Sequence, residues 1–296
     1  MTGAEQGFLL LTSFLGDPLR KPLSVAQFRS LAKQVAVAER ENVSRELTVQ
    51  DLRKLGYGEE MSQRIVGLLS GTNTLREYLR RAAACDCHPI TRLNPAYPLA
   101  VRKRLGLDSP GVLWAKGDAA LLNRPAVAVV GSRELCERNR RFAEEVGRQI
   151  AKQGYVLVSG NAKGTDRTAQ DACLEAGGQV ISIVADSLQK KPFTKNTLFL
   201  SLDDFDKEFS SQRALHRNHV IHSMAALTLV AQCSWGKGGT WSGTLMNLKN
   251  GWNPVCCFDD GSDACAELQN RGAQPITRER LQNLAVLEEI DPFVIF

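Results

Sequence analysis

The sequence predicts an α/β fold, a mostly parallel sheet with helices on both faces, preceded by a small all-helical domain. Two observations carry this. Beyond residue 125, short β-rich runs alternate with helical patterns: AVAVV at 126, a helix over about 135–152, YVLVS at 155, a helix over about 165–176, QVISIV at 179, LTLVA at 227 and NPVCCF at 253. Such alternation is how βαβ units read in a sequence, and successive units build a parallel sheet. Before residue 85 no strand pattern occurs, and LSVAQFRSLAKQVAVAE, LTVQDLRKLGYGEEMSQRIVGLLS and TLREYLRRAAA each space apolar residues three and four apart, as amphipathic helices do.

The predicted organisation is therefore a helical segment over residues 1–84, a sheet domain with its entry segment over 85–276, and a tail over 277–296. Within the first, LGYGEEMSQRI resembles the tight turn of a helix-hairpin-helix or SAM-like unit, with Gly56 and Gly58 flanking Tyr57. Glu59 and Glu60 stand where a phosphate-facing loop needs neutral or basic groups, so a plain helix-helix connection is favoured. Residues 89–125 hold five prolines and read as an irregular connector. Residues 186–214, basic first and acidic afterwards, read as a solvated excursion over the sheet edge.

Composition narrows the function classes only a little. The 296 residues are 43% hydrophobic and 23% charged, enough for a substantial core, and the formal charge of +5 is a mild bias toward polyanions. No apolar run of about 18 residues appears and the first residues lack a basic, signal-like segment, so a cytosolic protein without a membrane partner is expected. The eight cysteines are scattered and read as buried reduced thiols. Cys85, Cys87 and His88 lack the second pair a zinc site needs. His216, His219 and His222 are spaced three apart, but no carboxylate joins them, so solvated or helix-capping roles are favoured over a metal.

Three strand ends carry the chemistry: VVGSR at 129, VSGNAKGTD at 158 and AQCSWGKGGTWSGT at 231. Each is rich in glycine and precedes a helix, so backbone N–H groups and helix N-termini should converge at one rim of the sheet and form an anion site. The first turn has G-S-R in place of G-x-G-x-x-G, and the second strand ends in Ser159 and Gly160 where a ribose-binding carboxylate would stand, which argues against a dinucleotide. No P-loop is present. Arg133 can grip a phosphate oxygen bidentately, and Arg217 with Asn218 aims a second basic group at the same rim. Trp235, Trp241 and Phe193 lie near the rim loops as candidate stacking aromatics, unranked.

These motifs, in this order, resemble the DNA-processing protein A (DprA/Smf) family: VAVVGSR, GYVLVSGNAKGTD, the Arg-Asn pair of HRNHVI, GKGGTWSGT, and RGAQPI at 271. The entry segment TRLNPAYPLAVRKRLGLDSPGVLWAKGDAALL is similar as well, and the likeness spans residues 89–276. The resemblance implies an extended Rossmann-like domain, a homodimer, single-stranded DNA bound at the rim, and loading of a RecA-like recombinase in transformation, recombination or defence. It implies neither catalysis nor a cofactor. Carried over motif by motif, Arg133 would contact phosphate, Ser132, Gly160, Lys163 and Gly164 would supply loop donors, and Arg217 and Asn218 would complete the pocket beside Gly238, Gly239 and Thr240. The chain departs from the family at Gln170, where a histidine is usual, and at His219, where an arginine is usual, as a diverged member would.

Two other readings compete. The wider superfamily holds nucleotide-sensing domains, and the Lonely Guy phosphoribohydrolases, whose glycine-rich loop is followed by a catalytic glutamate. WGKGGTWSG offers Trp241, Ser242 and Gly243 after Thr240 and no carboxylate, so the general acid/base step lacks an agent and the hydrolase ranks below the sensor.

Overall fold

The computed structural model describes residues 1–38 and 47–289. Among the described residues five helices come first: α1 (Gly3–Thr12), α2 (Val25–Val37), α3 (Val49–Lys54), α4 (Glu59–Leu69) and α5 (Thr72–Ala83). Sequence sets several of their starts: Thr2 with Glu5, Ser24 with Gln27 and Thr48 with Asp51 each form a reciprocal capping box. Between α3 and α4, Gly56 takes φ +90° and Arg53 pairs with Glu59 at 3.2 Å, so the acidic start of α4 is engaged with its own hairpin.

The sheet has nine strands: β1 (His88–Thr91), β2 (Val112–Lys116), β3 (Ala126–Val130), β4 (Val156–Ser159), β5 (Gln179–Ile183), β6 (Thr197–Ser201), β7 (Leu227–Val230), β8 (Val255–Phe258) and β9 (Gln274–Ile276). Their order is β1-β2-β6-β5-β4-β3-β7-β8-β9. From β6 to β9 all pairings are parallel, while β1 and β2 close one side antiparallel. The chain runs outward from β3 through β4, β5 and β6, then returns to lay β7 on the other side of β3. That reversal makes the carboxyl ends of β3 and β7 the topological switch point, where open α/β sheets bind ligands.

Alternation along each strand feeds two cores. Ala126, Ala128 and Val130 face α6 (Leu99–Leu105), α9 (Ser211–Met224), α10 (Gly238–Asn250) and α11 (Asp263–Asn270), where Val220, Ile221, Trp241 and Leu268 meet them. Val127 and Val129 face α7 (Glu137–Lys152) and α8 (Thr165–Glu175), which contribute Phe142, Val146, Ile150 and Ala169. Phe142 stacks on Phe258 at 4.1 Å. A third cluster joins the helical segment to the antiparallel end: Leu9, Leu10 and Tyr78 pack with Trp114, Phe199 and Phe205.

Four strands, β1, β2, β6 and β9, lie outside the runs that the sequence predicts. The proline-rich connector holds β1 and β2, and the stretch read as a surface excursion holds β6, which lies inside the sheet between β2 and β5. VLWAK and TLFLS are buried at every position like the predicted strands, but neither leads directly into a long helical pattern, so the strand-to-helix rhythm that marks the others is missing. Pro89 and Pro275 sit in the two edge strands, β1 and β9, where a missing N–H does no harm. The charges around β6 pair among themselves: Lys190 with Glu208 at 2.9 Å, Lys191 with Asp186 at 2.6 Å, Arg213 with Asp203 at 2.9 Å. Residues 277–289, read from the sequence as a tail, are packed: Leu281, Leu284 and α12 (Leu284–Glu288) bury against the α7 side of the sheet. Phe193 precedes β6 and so lies at the amino end of the parallel strands, opposite the rim.

Among the described residues no helix is long and apolar enough to cross a membrane, and no three His, Cys, Asp or Glu side chains could together hold a metal ion. The three histidines diverge. His219 meets Trp252 edge-on at 5.9 Å. His222, expected to be solvated or capping, is fully buried because it is on the sheet-facing side of α9, with Nδ1 at 3.3 Å from both Thr228 Oγ1 and Asn247 Nδ2. Five of the eight free thiols are buried, whereas Cys136 is exposed at the start of α7.

Candidate nucleic-acid interface

A cleft of about 650 Å³ opens at the switch point. Its walls are the turn after β3, Ala162 and Asp166 at the entry to α8, the loop and first turn of α10 after β7, and α9. Helices α7, α8 and α10 all begin at this rim, and none has a side-chain cap. Their leading N–H groups and positive dipole ends therefore remain available, less those the protein itself uses.

The loops are knitted together by a few bonds. Ser132 N donates to Gln232 O at 2.8 Å, while Thr165 N and Oγ1 both donate to Ser132 O at 3.1 Å. Thr240 Oγ1 donates to Gly131 O at 2.8 Å, tying α10 to the β3 turn. Asn218 Nδ2 donates to Gly239 O at 3.0 Å, tying α9 to α10. Glycine is needed where these segments nearly touch. At Gly164, φ is +88° and a Cβ would collide with the carbonyls of Ser132 and Arg133.

Two arginines supply the positive charge. Arg133 is exposed on the cleft wall and makes no side-chain hydrogen bond or ion pair with described residues, so its fork is free for a ligand. Arg217 is 7% exposed on the inner face of α9, its Nη1 donating to Ile183 O at 2.6 Å and its Nε without a partner. Burial pulls its pKa below the ordinary value of 12.5, and the charge of Asp166 opposes that pull. Asp166 is the counterweight. Burial pushes its carboxyl upward, while Arg217, the N–H groups of Ala162 and Gly160, and Arg133 act to keep it charged.

Of the ten candidate residues, Ser132, Arg133, Arg217, Asn218, Gly238, Gly239 and Thr240 line the cleft, and Gly160, Lys163 and Gly164 do not. Gly160 N donates to Asp166 Oδ2 at 3.1 Å, so this N–H is spent inside the protein and not on a ligand. Lys163 is exposed on the neighbouring loop. Gln170 is buried and donates to Ser159 Oγ, which makes it an anchor of α8 on β4 and no part of the cleft. Sequence reasoning passed over Asp166, a buried carboxylate that lines the cleft and accepts from Gly160 N and Ala162 N, and Lys237, an exposed cation on the cleft wall one residue before Gly238. Lys237 belongs to the glycine-rich run GKGGT that opens α10. Asp166 shows its role only once the loop folds back on it.

Guanidinium groups, one ammonium and uncapped helix starts suit an anionic ligand held by its phosphates. Comparison with known proteins agrees in kind. The family model for DNA recombination-mediator protein A matches residues 88–286. DNA processing protein DprA of Streptococcus pneumoniae is 30% identical over 260 residues, covering 77% of this chain and 89% of its own length. Protein Smf of Synechocystis is 25% identical over 312 residues, covering 98% and 74%. The X-ray structure of the Streptococcus pneumoniae protein superposes with a TM-score of 0.67 at 23% identity, covering 90% of this chain and 98% of that one, and shares its fold. DNA processing protein A of Helicobacter pylori, solved for its single-stranded DNA binding mode, gives a TM-score of 0.58 at 25% identity, over 68% and 95%. With the family model spanning most of the chain and the Streptococcus pneumoniae relative covering more than three-quarters of it, this chain belongs to the DNA recombination-mediator protein A family (DprA/Smf).

Proposed function

We propose that the protein binds single-stranded DNA at the rim cleft without reading its sequence, and that Arg133 and Arg217 grip the phosphate backbone. The observation that carries this is that both arginines line one cleft at the switch point together with the uncapped start of α10 and the loop and first turn leading into uncapped α8. Such a groove tracks phosphates through charge and N–H donors. The single-stranded DNA binding mode of the Helicobacter pylori relative supports the reading. The division into a helical segment to residue 84 and a sheet domain beyond it belongs to this proposal, as do a homodimer, a cytosolic site of action and delivery of the bound strand to a RecA-like recombinase. A role by binding alone is supported by the α10 start, where Thr240 is followed by Trp241, which is buried, then by exposed Ser242 and by Gly243, with no carboxylate at the place a phosphoribohydrolase needs one.

The experiment is a titration of a labelled oligonucleotide across a salt series. Affinity should fall steeply with salt, and Arg133→Ala should flatten the slope by about one counterion. The second reading, a nucleotide sensor, is favoured by the cleft volume of about 650 Å³, which lies in the range of small-molecule sites. Free nucleotides that displace the oligonucleotide at micromolar concentration would establish the sensor in its place.

A further inference from the structure

The three candidate aromatics of the rim prove unlike one another. Trp241 is buried beneath the first turn of α10, and Phe193 lies at the opposite end of the strands. Trp235 is 57% exposed and makes no ring or cation contact with described residues. It occupies a tight turn. Lys237 N donates to Ser234 O at 3.3 Å, and Ser234 and Lys237 face each other across an isolated bridge. Gly236 supplies the positive φ, +69°, that a turn of this kind needs at its third position. Ser234 and Lys237 both line the cleft, so the turn fixes the indole one residue beyond the cleft wall. Leu215, 50% exposed on α9 beside Gly239, lines the same cleft.

The geometry points to Trp235 as a stacking platform for a nucleobase of the strand whose phosphates lie in the cleft. This inference rests on the strand-binding reading and deepens it, since a cleft of charge alone holds a backbone and leaves its bases in water. The exposed indole gives one of those bases a flat apolar face, and every base has a π-face to offer, so the contact adds affinity without sequence preference. Lys237 beside it would meet the adjoining phosphate.

The molecule provides its own probe. Of its four tryptophans, Trp114, Trp241 and Trp252 are buried and Trp235 alone is exposed. Oligothymidylate and an abasic oligomer with the same number of phosphates should both bind in an Arg133-dependent way, but only oligothymidylate should quench the tryptophan fluorescence. Trp235→Ala should weaken oligothymidylate about tenfold, leave the abasic oligomer and the salt slope unchanged, and abolish the quenching. Trp235→Phe should restore most of the affinity, because a ring is retained. Equal loss on both oligomers, or Arg133-dependent binding of oligothymidylate without quenching, would overturn the stacking role while leaving strand binding intact. If the wild type binds neither oligomer, the strand-binding reading itself falls and this inference with it.

Discussion

Gly160 lies directly against the guanidinium of Arg217: a methyl group on residue 160 would overlap Nη1, Nη2 and Cζ together. The arginine cannot easily yield, because Nη1 is also held on Ile183 O at 2.6 Å. Gly160 thus acts on the cleft from behind, by permitting the position Arg217 takes. Gly160→Ala should displace the guanidinium and weaken oligonucleotide binding about as much as Arg217→Ala does. Binding by fluorescence anisotropy measures it, and wild-type affinity in a folded Gly160→Ala protein would show that the position of Arg217 is immaterial.

Lys163 and Arg133 were expected to serve the same ligand, and the structure separates them. Arg133 is on the cleft wall, whereas Lys163 is on the solvent side of the loop that leads into α8. Removal of an exposed charge outside the contact leaves counterion release nearly unchanged. Lys163→Ala should therefore alter the slope of log affinity against log salt by clearly less than the roughly one counterion expected for Arg133→Ala. Equal changes would extend the binding path over that loop.

β3, β4, β5, β7 and β8 were legible because their apolar runs, such as Ala126, Val127, Ala128 and Val129, are bounded by turn residues and alternate with helices of period 3.6. β2 and β6 were hidden because neither leads directly into a long helical pattern: β2 lies in the proline-rich connector and β6 between charged loops. Their burial, shared with the strands that were legible, is completed by the helical segment, with Tyr78 against Trp114 and Phe205. The site divides in the same way. Arg133, Asn218 and Thr240 sit in glycine-rich turns or next to a charged pair, and local pattern exposes them. That Arg217 reaches Ile183 from the middle of α9 depends on elements far apart in the chain, whereas Asp166 binds the N–H groups of Gly160 and Ala162 within its own loop, through a turn that no spacing in the sequence announces.

Acid should act on the protein through His222. Burial, with a smaller contribution from the neighbouring His219, lowers its pKa from the ordinary 6.5 to about 3. Below pH 6.5 the unfolded chain takes up a proton that the native state refuses, so this stability is complete above pH 6.5 and is lost as pH falls toward about 3. The loss approaches about 1.4 kcal/mol per pH unit. Asp166 has the opposite sign: its carboxyl is raised above 3.8, so its contribution is present below that pH and lost as pH rises through the folded value. Chemical denaturation between pH 4 and 6.5 should show a steeper dependence for the wild type than for His222→Gln. Parallel profiles would mean that His222 does not carry the difference.

Phe205 tests whether the helical segment and the rim are energetically separable. Its ring is fully buried, at 5.0 Å from Tyr78 of α5 and 5.2 Å from Trp114 of β2, and joins the helices to the antiparallel end of the sheet. Truncation leaves a cavity between elements that other contacts hold apart, so collapse can recover little of the loss. Phe205→Ala should cost about 3–5 kcal/mol of unfolding free energy. The cleft, at the carboxyl ends of β3 and β7, is four strands away from β2 in the order of the sheet and shares none of these three rings. Oligonucleotide affinity of the folded variant should then match the wild type within about twofold, since distant sites with no shared partners behave nearly independently. A parallel loss of affinity would show that the seat of the helical segment on β2 sets the shape of the cleft.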